Sequence, residues 1–126
     1  MQNKYFRLAS EVAPRSTHRI KIGAVLVRKG QVLNVGYNKV GKTHPSYPWY
    51  LHAELDACLG IYRHDLSGSS IYLSRVNSLG IHGLCKPCTV CQSVLKDLGV
   101  KSVCYTTGYC KGDLDGWEPP YEEMKL

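Results

Sequence analysis

Apolar residues recur at helical spacing in QNKYFRLASEVA, with Tyr5, Leu8, Ala9 and Val12 on one face and Pro14 just beyond, which predicts a helix over residues 2–13. The period then changes from helical to strand-like. IKIGAVLVRKGQVLNVGYN holds two β-rich runs around the turn-prone Lys29-Gly30 and predicts a hairpin of strands 20–28 and 31–37. The nearly unbroken apolar stretch from Gly23 to Val27 fits a strand covered on both faces.

From Lys39 to Tyr50 (KVGKTHPSYPWY) the periodicity gives way to Gly, Pro, Ser and aromatics, so a loop is expected there. A second helix is predicted over residues 52–62, stopping before the turn-like HDLSGSS. SSIYLSRV reads as a third strand and NSLGIHGLC as a loop. PCTVCQSVLKDL reads as a third helix, with Pro87 near its start and Gly99 at its stop, and KSVCYTT as a fourth strand. The polar, Gly/Pro-rich tail GYCKGDLDGWEPPYEEMKL offers one last helical turn. This order, α, β, β, α, β, α, β, predicts a three-layer α/β domain over residues 1–126. Its mixed sheet would be antiparallel in the N-terminal hairpin and linked by crossover helices thereafter.

Composition alters this picture little. A chain of 126 residues with 44% hydrophobic and 21% charged residues is ordinary for one domain with one core. No apolar run approaches the roughly 20 residues of a membrane helix, and MQNKYFRLASEV lacks the apolar segment of a secretory signal, so a cytoplasmic chain with reduced cysteines is expected. Charge alters it more. The net +6 is lopsided: residues 1–50 carry nine Lys or Arg against one acid, residues 51–126 seven against nine. A basic half fits an anionic substrate or partner, and equally a solvated surface without that role.

The candidate chemistry begins at LHAELDACL, where His52 and Glu54 stand inside an apolar run and need partners if buried. KPCTVCQ supplies them. Cys88 and Cys91, three apart at a predicted helix start, present both thiols on one face, and His52 opens the other helix. One imidazole and two thiolates suit zinc and leave a fourth position open, as in catalytic sites, with Glu54 beside it to move protons. Two other readings remain: an incidental or redox-active C-x-x-C beside a surface pair, and a closed structural site with Cys85 as fourth ligand.

His52-Ala53-Glu54 followed by Pro87-Cys88-Thr89-Val90-Cys91 resembles the H-x-E and P-C-x-x-C signature of the zinc-dependent cytidine deaminase superfamily. The resemblance covers roughly residues 20–107. It implies a three-layer α/β/α cytidine deaminase-like fold, with zinc on His52, Cys88 and Cys91. Glu54 would be the proton shuttle for attack of activated water on C4 of cytosine and for loss of ammonia. It further implies base contacts from the backbone N–H groups of Ala53 and Cys88, and a sugar contact from Asn38 at the end of GYN; an Asn closing a strand in a turn explains Asn38 as well.

Within the superfamily, the GYN strand end, the KPCxxC helix start and GVKSVCYTT are most similar to the deoxycytidylate branch and its small phage-encoded members. That implies a cytosine mononucleotide, dCMP or CMP, whose phosphate would need cations from among Lys39, Lys42, His44 and Arg75. Only thirteen residues separate Asn38 from His52, too few for the insertion, often with a second metal, of dedicated dCMP deaminases. Three alternatives are kept. One is a deaminase of bases in single-stranded DNA or tRNA, held by the basic half and by Tyr47, Trp49 and Tyr50, although Lys86 stands where tRNA deaminases usually have Glu. The others are a free cytidine or deoxycytidine deaminase and a zinc-stabilised binding module without turnover. The resemblance also implies a homo-oligomer.

Overall fold

The computed structural model of the chain describes residues 3–40, 50–77, 79, 81–108, 110–111 and 120–126. Helix α1 (Asn3–Val12) buries Tyr5, Phe6, Ala9 and Val12, and a 3-10 turn at Ala13–Arg15, begun by Pro14, ends it. Strands β1 (Ile22–Arg28) and β2 (Gln31–Tyr37) pair antiparallel around Lys29 and Gly30. Both turn residues have positive φ, the two-residue hairpin turn whose twist matches that of the strands.

Two short strands, β3 (Lys39–Val40) and β4 (Tyr50–Leu51), pair separately and lead into helix α2 (Ala53–Cys58). A single turn, α3 (Arg63–Leu66), precedes the central strand β5 (Ser70–Val76). Then come β6 (Ile81–Gly83), helix α4 (Thr89–Leu98), β7 (Ser102–Thr106), β8 (Cys110–Lys111) and β9 (Tyr121–Lys125).

β5 pairs antiparallel with β1 on one side and parallel with β7 on the other, while β6 extends the β7 column past its end. β9 lies antiparallel outside β7, and β8 outside β6. The sheet therefore runs β2-β1-β5-β7-β9, with α4 as the crossover that makes the β5–β7 pair parallel.

Alternation along β1 divides the core into two halves. Ala24 and Leu26 point with Ile71, Leu73 and Val103 toward α2 and α4, whereas Val25 and Val27 point with Tyr72 and Cys104 toward α1. Two glycines set the spacing of these layers. A Cβ on Gly23 would stand 2.0 Å from the Ala9 carbonyl oxygen of α1, and one on Gly36 2.5 Å from the Ala57 nitrogen of α2, so only Gly lets each helix lie this close.

The expected three-layer α/β/α arrangement with a hairpin and a crossover helix is present. Several expectations about local structure are overturned. The loop expected from Lys39 to Tyr50 opens with β3 and runs into β4, strands too short to show a period, and the turn-like HDLSGSS begins inside α3. The region 77–85 expected as loop contains β6, too short at three residues to show a period. The expected helical turn near the C-terminus is strand β9, whose alternation is masked by acidic residues on an open edge. The helix expected over 52–62 stops at Cys58, because Leu59 turns extended and Gly60 takes φ +80°. No helix among the described residues is long and apolar enough to cross a membrane.

Candidate active site

Both helices that face the α2–α4 side of the sheet begin at chemically active residues. His52 holds the N-cap position of α2 with extended backbone and without a side-chain cap bond, and Glu54 follows in the first turn. Cys88 caps α4 in the same way, its Sγ accepting the Cys91 N–H at 3.4 Å. Ligand atoms of His52, Glu54 and Cys91 lie within 4.8 Å of one another, and His52 Nδ1 is 3.5 Å from Glu54 Oε1. Of the three ligands expected from the sequence, the structure groups His52 and Cys91 with Glu54, while the exposed Cys88 thiol stands outside that group and accepts the Cys91 backbone N–H.

Burial shapes the electrostatics here. Glu54 is 5% exposed, and desolvation pushes its carboxyl up to about 7 against the pull of hydrogen bonds from the Cys91 side chain and its own backbone. Desolvation, then the Glu54 charge, drives the Cys91 thiol far above the usual thiol range, while burial lowers His52 and so favours a neutral imidazole. A buried thiol beside a carboxylate becomes a thiolate only if a cation joins them, and imidazole with thiolates is a donor set that zinc prefers. The residues present thus fit the metal.

The cluster opens into a cleft of about 250 Å³. Its walls are His18 and Ile20 from the α1–β1 connection, Ile22 at the start of β1, His52, Ala53 and Glu54, Arg75 of β5, and Leu84 to Cys88 ahead of α4. Of the residues picked out in the sequence, His52, Ala53, Glu54, Arg75 and Cys88 line this cleft, and Cys91 lies beneath it. Arg75 donates from Nη1 to the Leu84 carbonyl at 3.3 Å. Cys85 is also in the wall, but it is tied to β7: its N–H donates to the Thr106 carbonyl and its Sγ sits 3.2 Å from Thr106 Oγ1, outside the ligand cluster.

Asn38 is fully buried and does not line the cleft. Its Oδ1 accepts the Ile22 N–H at 2.9 Å and its Nδ2 donates to the Ile20 carbonyl at 2.6 Å, so it fastens the start of β1. Lys39 is engaged by both Asp56 carboxylate oxygens, at 2.8 and 2.9 Å, and by the Tyr37 ring. Lys42, His44, Tyr47 and Trp49, and the Tyr50 side chain, lie outside the described residues. The sequence reading missed His18 and Lys86 as cleft residues. The only available signal was their basic setting, RSTHRIK and CKPC, which has no spacing to distinguish it.

With this geometry in hand, comparison with known proteins is informative. The family model for the cytidine and deoxycytidylate deaminase zinc-binding region matches residues 1–107. A deoxycytidylate deaminase of Mycobacterium phage D29 is 27% identical over 128 residues, covering 82% of this chain and 92% of that protein. The tRNA-specific adenosine deaminase subunit tad2 of Schizosaccharomyces pombe is 30% identical over 106 residues, again 82% of this chain, which spans only 25% of that longer relative. In fold, the dCMP deaminase of cyanophage S-TIM5 superposes with a TM-score of 0.60 at 24% identity, covering 85% of this chain and 82% of that one.

Proposed function

Because the chain belongs to the zinc-binding cytidine and deoxycytidylate deaminase family, we propose that it hydrolyses the exocyclic amine of a cytosine mononucleotide, dCMP or CMP, to give the uracil nucleotide and ammonia. One observation carries the choice of a mononucleotide: the cleft that holds His52, Glu54 and Cys88 also holds Arg75 and Lys86, cations placed for an anionic group on the same small ligand. The phage D29 relative, alike in length, favours the same substrate class.

In this reading His52, Cys88 and Cys91 would hold the zinc, whose Lewis acidity would make water an effective nucleophile near neutral pH. Glu54 is the proton carrier. Its carboxylate takes a proton from the attacking water, returns it to N3 of the ring, and carries the next to the departing amine; a buried carboxyl with its affinity shifted toward neutrality does both. The backbone N–H groups of Ala53 and Cys88, at the cleft wall, orient the base. Leu84 and Ile22 supply apolar walls beside it.

The test is ammonia release from dCMP, CMP, deoxycytidine and a cytosine-containing single-stranded oligonucleotide by zinc-loaded protein, with Glu54→Gln as blank. Turnover of a monophosphate that falls by at least about 10³-fold in the variant is expected. Turnover of the oligonucleotide alone would refute the mononucleotide. That second reading is favoured by the tad2 relative and the basic residues 1–50, and it predicts oligonucleotide affinity that drops steeply with salt.

A further inference from the structure

The cleft wall between β6 and α4 is an extended segment whose sides alternate. Gly83, Cys85 and Pro87 are buried, while Leu84, Lys86 and Cys88 are exposed. Each buried member is tied down: the Pro87 carbonyl accepts from Gln92 Nε2 at 2.8 Å, and the other two are held by Thr106. Thr106 ends β7, is fully buried and stands behind the cleft rather than in its lining.

The Thr106 side chain is used to capacity. A hydroxyl has one proton to give and two lone pairs to offer. Oγ1 donates to the Gly83 carbonyl at 2.7 Å and accepts the Arg75 backbone N–H at 3.3 Å, so toward Cys85 Sγ, 3.2 Å away, it can only accept. The Cys85 thiol is therefore a donor here. Its other acceptor is the Thr106 carbonyl at 3.8 Å, which also takes the Cys85 N–H at 3.1 Å.

Cys85, Cys88 and Cys91 follow one another at intervals of three in CKPCTVC, and Cys85 shares the cleft with His52, Glu54 and Cys88. Three thiolates with an imidazole make a closed structural site, whereas two leave the position that water needs. Register decides between them, because a slip of one residue along an extended segment exchanges its two faces.

We propose that Thr106 is a positioning residue of the deaminase: by engaging the Cys85 thiol and fixing the Gly83 and Cys85 backbone, it withholds that thiol from the metal and keeps the site open. It touches neither substrate nor metal. The same hydroxyl bonds Arg75, so the strand and the segment that carry cleft residues are joined through one side chain. The inference rests on the reading of His52, Cys88 and Cys91 as the ligands.

The experiment loads the protein with cobalt in place of zinc, since the near-ultraviolet thiolate absorption of cobalt reports how many sulfurs bind it, and follows ammonia release from dCMP by the zinc form. Thr106→Val keeps the side-chain shape and removes the hydroxyl. It is expected to raise thiolate absorption per metal to about one and a half times the wild-type value and to lower turnover by about 10–100-fold. Thr106→Ser, which keeps the hydroxyl, should match the wild type in both. Adding Cys85→Ala to Thr106→Val should return the absorption to the wild-type level and restore turnover. Absorption in Thr106→Val that stays at the wild-type level overturns the inference, and so does a loss of turnover that Cys85→Ala leaves unrepaired, which would make Thr106 structural only. If Thr106→Val does not fold, Cys85→Ala alone decides: unchanged absorption and turnover are expected, and a fall in absorption by about a third would show Cys85 already on the metal and overturn the inference. A wild-type cobalt form without thiolate absorption brings down the ligand reading and this inference with it.

Discussion

The two walls of the cleft are built in opposite ways. The wall proposed to carry the chemistry comes from the starts of α2 and α4, with its groups two and three positions apart in the chain: His52 and Glu54, Cys88 and Cys91. The opposite wall draws on residues 18, 75 and 86, from a connection, a strand and the approach to a helix, and is held by side chains that bond to backbone. Chemistry that needs fixed distances between a few reacting groups is placed on regular elements; recognition of the rest of the ligand is left to tertiary contacts, where it can change without moving the reacting groups.

That contrast can be broken most severely at Cys91. Cys91→Ser is expected to lower zinc content to below about a tenth of wild type by atomic spectroscopy and turnover by about 10³-fold. Binding of dUMP through the opposite wall should persist within an order of magnitude.

Next in size is an effect on stability. The carboxyl of Glu54 is raised from 4.5 to about 7, so between those values the folded state holds a proton that the unfolded chain has lost. Its contribution is thus complete below about pH 4.5 and is lost as pH rises through about 7. In metal-free protein Glu54→Gln should add on the order of 3 kcal/mol at about pH 8 and almost nothing near pH 4, read from denaturant melts. A variant no more stable than wild type at the higher pH would show that the carboxyl is solvated.

Asn38→Ala acts on the other wall. Losing its two backbone partners should cost about 1–3 kcal/mol and raise KM for dCMP about tenfold while kcat stays within twofold; equal changes for deoxycytidine would mean the segment has simply melted. Lys39→Met should do least. The cation is already held by Asp56 and the Tyr37 ring, so stability should fall by about 1 kcal/mol with KM unmoved, which would remove Lys39 from the phosphate's surroundings.

The same contrast explains what the sequence discloses. Spacings such as H-x-E and C-x-x-C survive in one dimension because a helix start converts them directly into distances, and the strands β1, β2, β5 and β7 announce themselves by β-branched, apolar runs. The segment IHG has no such voice: β6 exists because Arg75 and Val76 of β5 offer it a free ladder. YEEMK is a strand because β7 leaves an open edge, and its glutamates suit a position where water is on the outside. His18 is visible only once Asn38, twenty positions along the chain, is seen to fasten its neighbours.

The position of β5 between β1 and β7 also bears on time. Ile22 pairs with Arg75, and Ser70 with Ser102, so the strand order that brings α2 against α4 depends on contacts between distant parts of the chain, which form slowly. His52 precedes β5 and Cys91 follows it, and the metal cluster is complete only once both ladders exist. Zinc is expected to join after the rate-limiting barrier to folding, which stopped-flow refolding with and without the metal would test. It should leave the refolding rate unchanged and slow unfolding instead, making the loaded protein persistent rather than quick to form.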